Sequence, residues 1–248
     1  MNKGIYTLAN DVVYDHLVAL LNSLEVNGAK DIPVYVIPYD NRLEKVKAEI
    51  ASRNNVSLFD NIDSINFWED FATQAWTSHQ KAQKIWRAKG WQPVHCLGMH
   101  RKFCCFDGPF EKFIYFDADT LLMGDIDYIY QKLDECDWVA NDFQYKSDIS
   151  YVFDSSSEVL FDFLYAVEFD ERTAKALRAQ RKESNQVMRV IEMGGSWDEK
   201  LKSKIFCAGF FASKKGVLNL ENLGNLLPKL KAGEAEVMSV RGTDQPLF

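Results

Sequence analysis

Residues 111–130 read EKFIYFDADTLLMGDIDYIY. Within them FIYF is an unbroken apolar run bounded by charge, the pattern of a strand buried on both faces of a sheet. The acidic tripeptide Asp117-Ala118-Asp119 follows at once, so a central strand would deliver two carboxylates to its own C-terminal end. In open α/β sheets ligands bind in the crevice outside the carboxyl ends of the strands. Two carboxylates one residue apart on a turn can converge on one hard cation, and Mg²⁺ or Mn²⁺ favours such oxygen ligands while keeping positions open for a diphosphate. A solvated acidic turn that ends a strand has the same spelling. The pattern even recurs at Asp125-Ile126-Asp127, where the carboxylates read as caps of the segment IDYIY.

Upstream, IYTLA (residues 5–9) has strand character, and NDVVYDHLVALLNSLEVNG follows with a helical period. Asn10 or Asp11 can cap that helix, Val13, Leu17, Leu20, Leu21 and Leu24 share one face, and Asn27-Gly28 ends it. The strand PVYVIP, a charged helix from Asn41 to about Ala51 and the short strand VSLF complete a β-α-β-α-β alternation. The expectation is an α/β fold with a mostly parallel central sheet flanked by helices. Residues Phe67 to about Ala88 read as one helix with Trp68, Phe71, Ala75 and Ile85 buried, and His95–Phe106 as another. The segment from Ser155 to Val190 reads as helical and amphipathic, IFCAGFFAS as a strand, and VLNLENLGNLLPKL as a helix whose end is marked by Pro228 and Gly233.

Composition sets the outer bounds. With 248 residues and 47% hydrophobic content the chain can bury a large core. A formal charge of −7 leaves no basic excess to neutralise a phosphate backbone, which argues against a nucleic-acid partner. A small anionic substrate remains open, because a bound divalent cation reverses the local field. No apolar run has the length of a membrane span, and MNKGIYTLAND lacks the features of a signal peptide, so the expectation is a soluble, cytoplasmic protein. The cysteines (Cys96, Cys104, Cys105, Cys136, Cys207) form no C-x-x-C pair and read as reduced thiols; the histidines show no metal-site spacing.

FDADTLL also fits the first motif of haloacid-dehalogenase-like phosphatases, in which the first Asp is a nucleophile at the end of the first strand. Here half a Rossmann-like domain precedes the motif and the tail offers a single aspartate, Asp244. That arrangement disfavours the phosphatase reading.

Several segments, in order, resemble the glycogenin-like glycosyltransferases, the retaining, glycosyltransferase family eight-like enzymes of GT-A fold. YTLANDVVYDHLVALLNSLEVNGAKDIPVYVI is similar to that family's first strand, nucleotide loop, helix and second strand. RKFCCFDGPFEKFIYFDADTLLMGDIDYIY resembles its metal-motif region, FCAGFFASKKG its N-[SA]-G strand and GTDQPLF its acidic D-Q motif. The match covers most of residues 4–142 and 205–248.

The resemblance implies a hexosyltransferase that uses a UDP-sugar, needs Mn²⁺ or Mg²⁺, and acts on a carbohydrate or other hydroxyl acceptor. It implies a single catalytic domain over residues 1–248, with 1–120 as the nucleotide-binding half and 121–248 as the half for donor sugar and acceptor. Thr7, Leu8, Ala9, Asn10 and Tyr14 would line the uridine pocket, although Tyr14 reads equally as core packing. Arg101 or Lys102 would meet donor phosphate or sugar; a solvated helix charge is the alternative. Asp117 and Asp119 would bind the metal, with Asp117 and Ala118 also beside the ribose. Asp142 would bond donor-sugar hydroxyls, Cys207, Ala208 and Gly209 would flank the sugar, and Asp244 with Gln245 would stabilise an oxocarbenium-like transition state.

The chain departs from the family's pattern in two places. Cys207 stands where the family has Asn, and a thiol cannot reproduce an amide's donor-plus-acceptor pattern. No His follows His100, whereas the family draws a third metal ligand from a C-terminal His. The segment Phe143–Phe206 is also longer than the family's usual link, which suits acceptor binding or a passive insertion. A helix opening at Asp244-Gln245 would stop at Phe248 after about one turn, too short to be stable alone. The expectation is therefore a C-terminally truncated catalytic unit with low turnover; a nucleotide-sugar-binding protein without turnover is the alternative.

Overall fold

The computed structural model describes residues 2–140, 208–218 and 220–233. They fall into two compact units, one formed by 2–73, 96–140 and 208–224, the other by 74–95 and 225–233, each taken over its described residues. The first unit carries a six-stranded sheet of β1 (Lys3–Ala9), β2 (Val34–Pro38), β3 (Val56–Leu58), β4 (Lys112–Asp117), β5 (Trp138–Ala140) and β6 (Phe210–Lys214). Their order is β3-β2-β1-β4-β6-β5. The run from β3 to β4 is parallel, as the alternation predicts, but β6 pairs antiparallel with both β4 and β5. The sheet is thus mixed, parallel over four of its six strands, with the antiparallel part gathered at one edge, a common ending for a parallel sheet.

Successive strand residues point to opposite faces, and here the two faces differ in chemistry. On one, Ile5, Ala9, Val34, Val36, Ile114, Phe116 and Ala212 form an aliphatic layer. It packs against Leu17, Leu20, Leu21 and Leu24 of α1 (Tyr14–Val26), Val46 of α2 (Glu44–Ala51), and Ile129 and Leu133 of α5 (Asp127–Glu135). On the other, Tyr35, Tyr6, Tyr115 and Phe211 lie in register across four strands. Tyr115 stacks on Phe211 with centroids 5.1 Å apart, and Phe113 meets Tyr6 edge-on at 5.5 Å. A 3-10 helix, Leu97–Phe106, contacts β1 and β2, and its Phe103 stacks at 4.9 Å on Trp68 of α3 (Ile62–Thr77). FIYF is buried throughout, between β1 and β6, because both layers need its side chains.

Several boundaries differ from the sequence expectation for local reasons. α1 is entered through a 3-10 turn, Asp11–Val13, capped by Asn10, and gives way to a turn at Asn27-Gly28 as expected. α2 begins at Glu44 rather than Asn41, because its first amides find the Asp11 carboxylate: Glu44 N–H and Val46 N–H donate to it at 2.9 and 3.1 Å. The single helix expected over 67–88 is two. α3 starts earlier, where Asn61 accepts from Ser64 N–H, and stops at Thr77; α4 (Gln80–Ala88) restarts on His79, whose Nδ1 faces the Ala82 N–H at 3.4 Å. The helix expected over His95–Phe106 is 3-10 from Leu97 and opens at Cys96 in the left-handed region, φ 62°. Gly98 sits against the Tyr39 carbonyl, where no Cβ fits.

In the second unit Gln83 of α4 ties the end of α3 to the segment beyond α4 by donating to the carbonyls of Trp76 (3.0 Å) and Pro93 (2.7 Å). The last described helix, α6 (Leu220–Lys231), runs through Pro228 instead of ending there, and Ala232 N–H accepts no interruption: it bonds the Pro228 carbonyl at 2.9 Å before the chain turns at Gly233. Proline removes a donor and crowds the preceding turn, but its own carbonyl still serves the next one. The segments 155–190 and 143–206 lie outside the described residues. No helix among the described residues is long and apolar enough to cross a membrane.

Gly4 tests the packing of the aromatic layer. Its carbonyl accepts from Tyr130 Oη at 2.8 Å, and a Cβ there would run into the Phe110 ring. Gly4→Ala is expected to cost about 2 kcal/mol of stability by overpacking. An unchanged urea midpoint would show that Phe110 moves aside freely.

Candidate functional site

Parallel pairing places Leu8 beside Asp117, so the loop that follows β1 and the carboxylates that follow β4 share one end of the sheet. The β6 end joins them, since Asp117 N–H donates to the Gly209 carbonyl at 2.8 Å. Leu8, Ala9, Asn10, Asp117, Ala118, Asp119, Ala208 and Gly209 are therefore brought to one end of the sheet. Asp142, Cys207, Asp244 and Gln245 lie outside the described residues.

The site is organised around a buried lysine. Lys102 is 2% exposed, and its ammonium donates to the Ala208 carbonyl at 3.0 Å and lies 3.1 Å from Asp117 Oδ1. It also sits over the Tyr115 ring, 4.9 Å from the centroid, while Tyr115 Oη donates to the same Asp117 oxygen at 2.8 Å. Desolvating an ammonium costs several kcal/mol, and a carboxylate, a carbonyl and a ring face together offset that cost. Lys102 is thus neither a solvated helix charge nor a group at the surface; it holds Asp117 from beneath. Arg101 is also committed, donating to Glu69 Oε1 at 2.7 Å and to the Pro38 carbonyl at 2.8 Å, at the C-terminal end of β2.

Beyond Asp117 the chain turns sharply, with Thr120 donating to the Asp117 carbonyl through N–H and Oγ1 at 3.1 and 2.7 Å. Asp119 is exposed on that turn and forms no hydrogen bond among the described residues. The turn is fastened to α1: Leu122 N–H donates to Ser23 Oγ at 2.9 Å and Asn27 Nδ2 to the Leu122 carbonyl at 2.8 Å. The second acidic pair has other duties. Asp125 Oδ1 accepts from Asp127 N–H at 2.8 Å, the capping role expected of it, whereas the Asp127 carboxylate pairs with Lys3 at 2.7 Å.

In the loop after β1, Asn10 is engaged on both sides: its Oδ1 accepts from Val12 N–H at 3.0 Å and its Nδ2 donates to Asp40 Oδ2 at 2.9 Å. Thr7 alternates with Ile5 and Ala9 and so faces the aliphatic layer; its hydroxyl is buried without a hydrogen-bond partner among the described residues. Any contact of Thr7 with a ligand would be through its backbone. Tyr14 donates to Glu49 Oε2 at 3.0 Å, which ties α1 to α2. The sequence reading missed Tyr115, Asp40 and Arg42. Tyr115 was legible, because a residue two before Asp117 on a strand shares its face.

Electrostatics separates the groups further. Hydrogen bonding from Arg42, followed by that from Asn10, holds the Asp40 carboxyl down at about 2 against the opposing effect of burial. Burial pushes the Cys104 thiol up to about 12 and the Cys105 thiol well above its ordinary range, so neither offers a thiolate nucleophile. Among the described residues no cluster of three or more His, Cys, Asp or Glu could hold a metal. The oxygen donors of Asp117 and Asp119 nonetheless suit Mg²⁺ or Mn²⁺, ions that keep ligand positions for a substrate diphosphate.

No protein-family model matches this chain, and no curated protein matches it in sequence. Solved structures do match. Mouse xyloside xylosyltransferase 1 in its apo form aligns over 100% of this chain and 80% of its own, with a TM-score of 0.55 at 9% identity. The WbbM bifunctional glycosyltransferase aligns over 99% of this chain and 37% of its own, with a TM-score of 0.47 at 16% identity. Core-mannan synthase A from Aspergillus fumigatus, in its Mn/GDP form, aligns over 100% and 68%, with a TM-score of 0.46 at 10% identity. The fold is that of the GT-A glycosyltransferases: a mixed central sheet flanked by helices.

Substitutions at two places test this architecture. Lys102→Met strands Asp117 beside a buried ring and carbonyl, and is expected to cost about 2 kcal/mol, less than a fully buried pair because Asp117 is partly exposed. Adding Asp117→Asn should recover more than half of the loss; additivity in the double-mutant cycle would show that the two side chains are not coupled. Asp40 is the pH-sensitive fastening. Its depressed pKa gives stability that is present above the unfolded value near 4 and lost as pH falls through about 2. An NMR titration should place its midpoint near 2, and Arg42→Ala should move it up toward the ordinary range; a midpoint that ignores Arg42 would break the assignment.

Proposed function

We propose that this chain is a metal-dependent glycosyltransferase that moves a hexose from a UDP-sugar to a hydroxyl acceptor with retention, as its resemblance to the glycogenin-like enzymes implies. The observation that carries the reading is the placement of Asp117 and Asp119 beside Leu8–Asn10, at the carboxyl ends of adjacent parallel strands, over the Lys102 ammonium. Ligands of open α/β sheets bind at such strand ends.

In this reading the backbone of Leu8, Ala9 and Asn10 receives the base. Asn10 keeps its loop in shape through Asp40, and Ala118 packs under the ribose. Asp119 and Asp117 hold Mn²⁺ or Mg²⁺, which when bound supplies positive charge for the leaving diphosphate. Lys102 keeps Asp117 aligned and fixes the Ala208-Gly209 backbone on which the donor sugar rests. Arg101 braces the β2 end of the crevice through Glu69 and Pro38. Asp142, Cys207, Asp244 and Gln245 take the sugar and transition-state roles that the resemblance implies, with Cys207 setting a hexose preference different from that of an amide.

A second reading, a nucleotide-sugar-binding protein without turnover, is favoured by one observation: Asp117 already has an internal cation partner, so the metal rests chiefly on Asp119. Incubation with UDP-glucose or UDP-galactose and Mn²⁺ separates the two. Release of UDP supports the transferase, and binding without release supports the alternative. Asp119→Ala is expected to abolish metal-dependent UDP binding, whereas Asp127→Ala should leave it intact and cost at most about 1 kcal/mol of stability. Equal loss from both substitutions would overturn the choice of carboxylates.

A further inference from the structure

A cavity of about 250 Å³ is lined by Tyr35, Phe59, Asp60, Asn61, Asp107, Gly108, Pro109 and Lys215. None of them belongs to the group gathered around Asp117: Phe59, Asp60 and Asn61 follow β3 at the far edge of the sheet, three strand spacings from β4, and Gly108, Pro109 and Lys215 lie beyond the other end of β4. We propose that it is a second site, which binds one pyranose ring of a neutral carbohydrate.

The floor is aromatic. Phe59 is buried, Tyr35 half-buried, and the two rings meet edge-on with centroids 6.2 Å apart. Such a surface suits the C–H face of a sugar, apolar on one side and polar around its edge. The rim is polar and unspent: among the described residues Tyr35 Oη, the Asp60 carboxylate, Asn61 Nδ2, Asp107 Oδ1 and Lys215 Nζ form no hydrogen bond or ion pair. Donors and acceptors are both present, as vicinal hydroxyls require.

Part of the rim is held in place rather than merely exposed. Asp107 Oδ2 accepts from Ser64 Oγ and from Trp68 Nε1, both at 2.6 Å, and Ser64 and Trp68 are themselves buried. Asn61 is fixed by the amide of Ser64 at 3.1 Å. Behind the rim, the hydroxyl of fully buried Tyr6 abuts Gly108, where no side chain would fit. Two carboxylates against one ammonium make the cavity net negative, which disfavours phosphates and nucleotides and leaves a neutral polyol as the fitting ligand. That this ring belongs to an acceptor glycan rests on the transferase reading; the binding itself does not.

The test uses the full chain, ¹⁵N-labelled, without nucleotide or metal, titrated with the methyl pyranosides of glucose, galactose and mannose. At least one is expected to shift the amides of Asp60, Asn61 and Gly108 saturably, with a Kd in the millimolar range, about 1–10 mM. Asn61→Asp keeps the helix cap but removes the amide donor, and Lys215→Ala removes the ammonium; each should weaken binding about tenfold, as expected when a hydrogen-bonding partner is lost. Tetramethylammonium is the control for a cation site. The proposal is overturned if no glycoside moves these amides, if the shifts do not saturate, if both variants bind as the native chain does, or if only tetramethylammonium binds. UDP release from a UDP-sugar is measured separately, so loss of the transferase reading and loss of this one are told apart.

Discussion

The Lys102 ammonium is the constraint on which the candidate site depends. A lysine 2% exposed must be surrounded by groups that replace its water, and three groups supply them: Asp117 at the end of β4, Tyr115 within the same strand, and the Ala208 carbonyl ahead of β6. The three cannot be satisfied unless the 3-10 helix Leu97–Phe106 lies on the aromatic face of the sheet. That helix is placed by the Trp68–Phe103 stack and by the close approach of Gly98 to Tyr39. A single buried charge thus couples the covering helix, the central strand and the antiparallel edge.

The same coupling accounts for the division of labour between the two acidic pairs. The first D-x-D tripeptide follows the buried strand β4 and the second follows exposed Met123 and Gly124, and Asp117 has a buried cation beneath it. Asp127 instead finds Lys3 at the surface, with side chains 57% and 41% exposed, where an ion pair contributes little. Burial, rather than spacing, distinguishes a carboxylate that is held for chemistry from one that trims a helix end.

The central sheet was legible in the sequence because β1, β2 and β4 are short apolar runs whose length and flanks exclude helices, and α1 because its leucines recur at helical spacing. What could not be read depends on partners far along the chain. The start of α2 is set by Asp11, more than thirty residues upstream, and the antiparallel direction of β6 by pairing with β4, nearly a hundred residues earlier. The break between α3 and α4 turns on one imidazole facing one amide. At the site, the carboxylates and the loop after β1 were legible as strand ends; that Lys102 is buried and Arg101 braced was not, because two adjacent basic residues look alike until a neighbouring element claims each.

The two faces of the sheet have different tolerances, and that difference bears on how the site is kept rigid. The aliphatic face holds α1, α2 and α5 through non-directional burial, which adapts to modest changes in side-chain volume. The aromatic face is directional: rings in register, an edge-on contact at 5.5 Å, and a cation over Tyr115 all require particular orientations. Asp117 belongs to that directional face, two residues beyond Tyr115. A change that merely loosens the aliphatic layer should lower stability while leaving the carboxylate geometry in place, whereas a change in the aromatic layer should reach the site through Tyr115 and Lys102 even when little stability is lost.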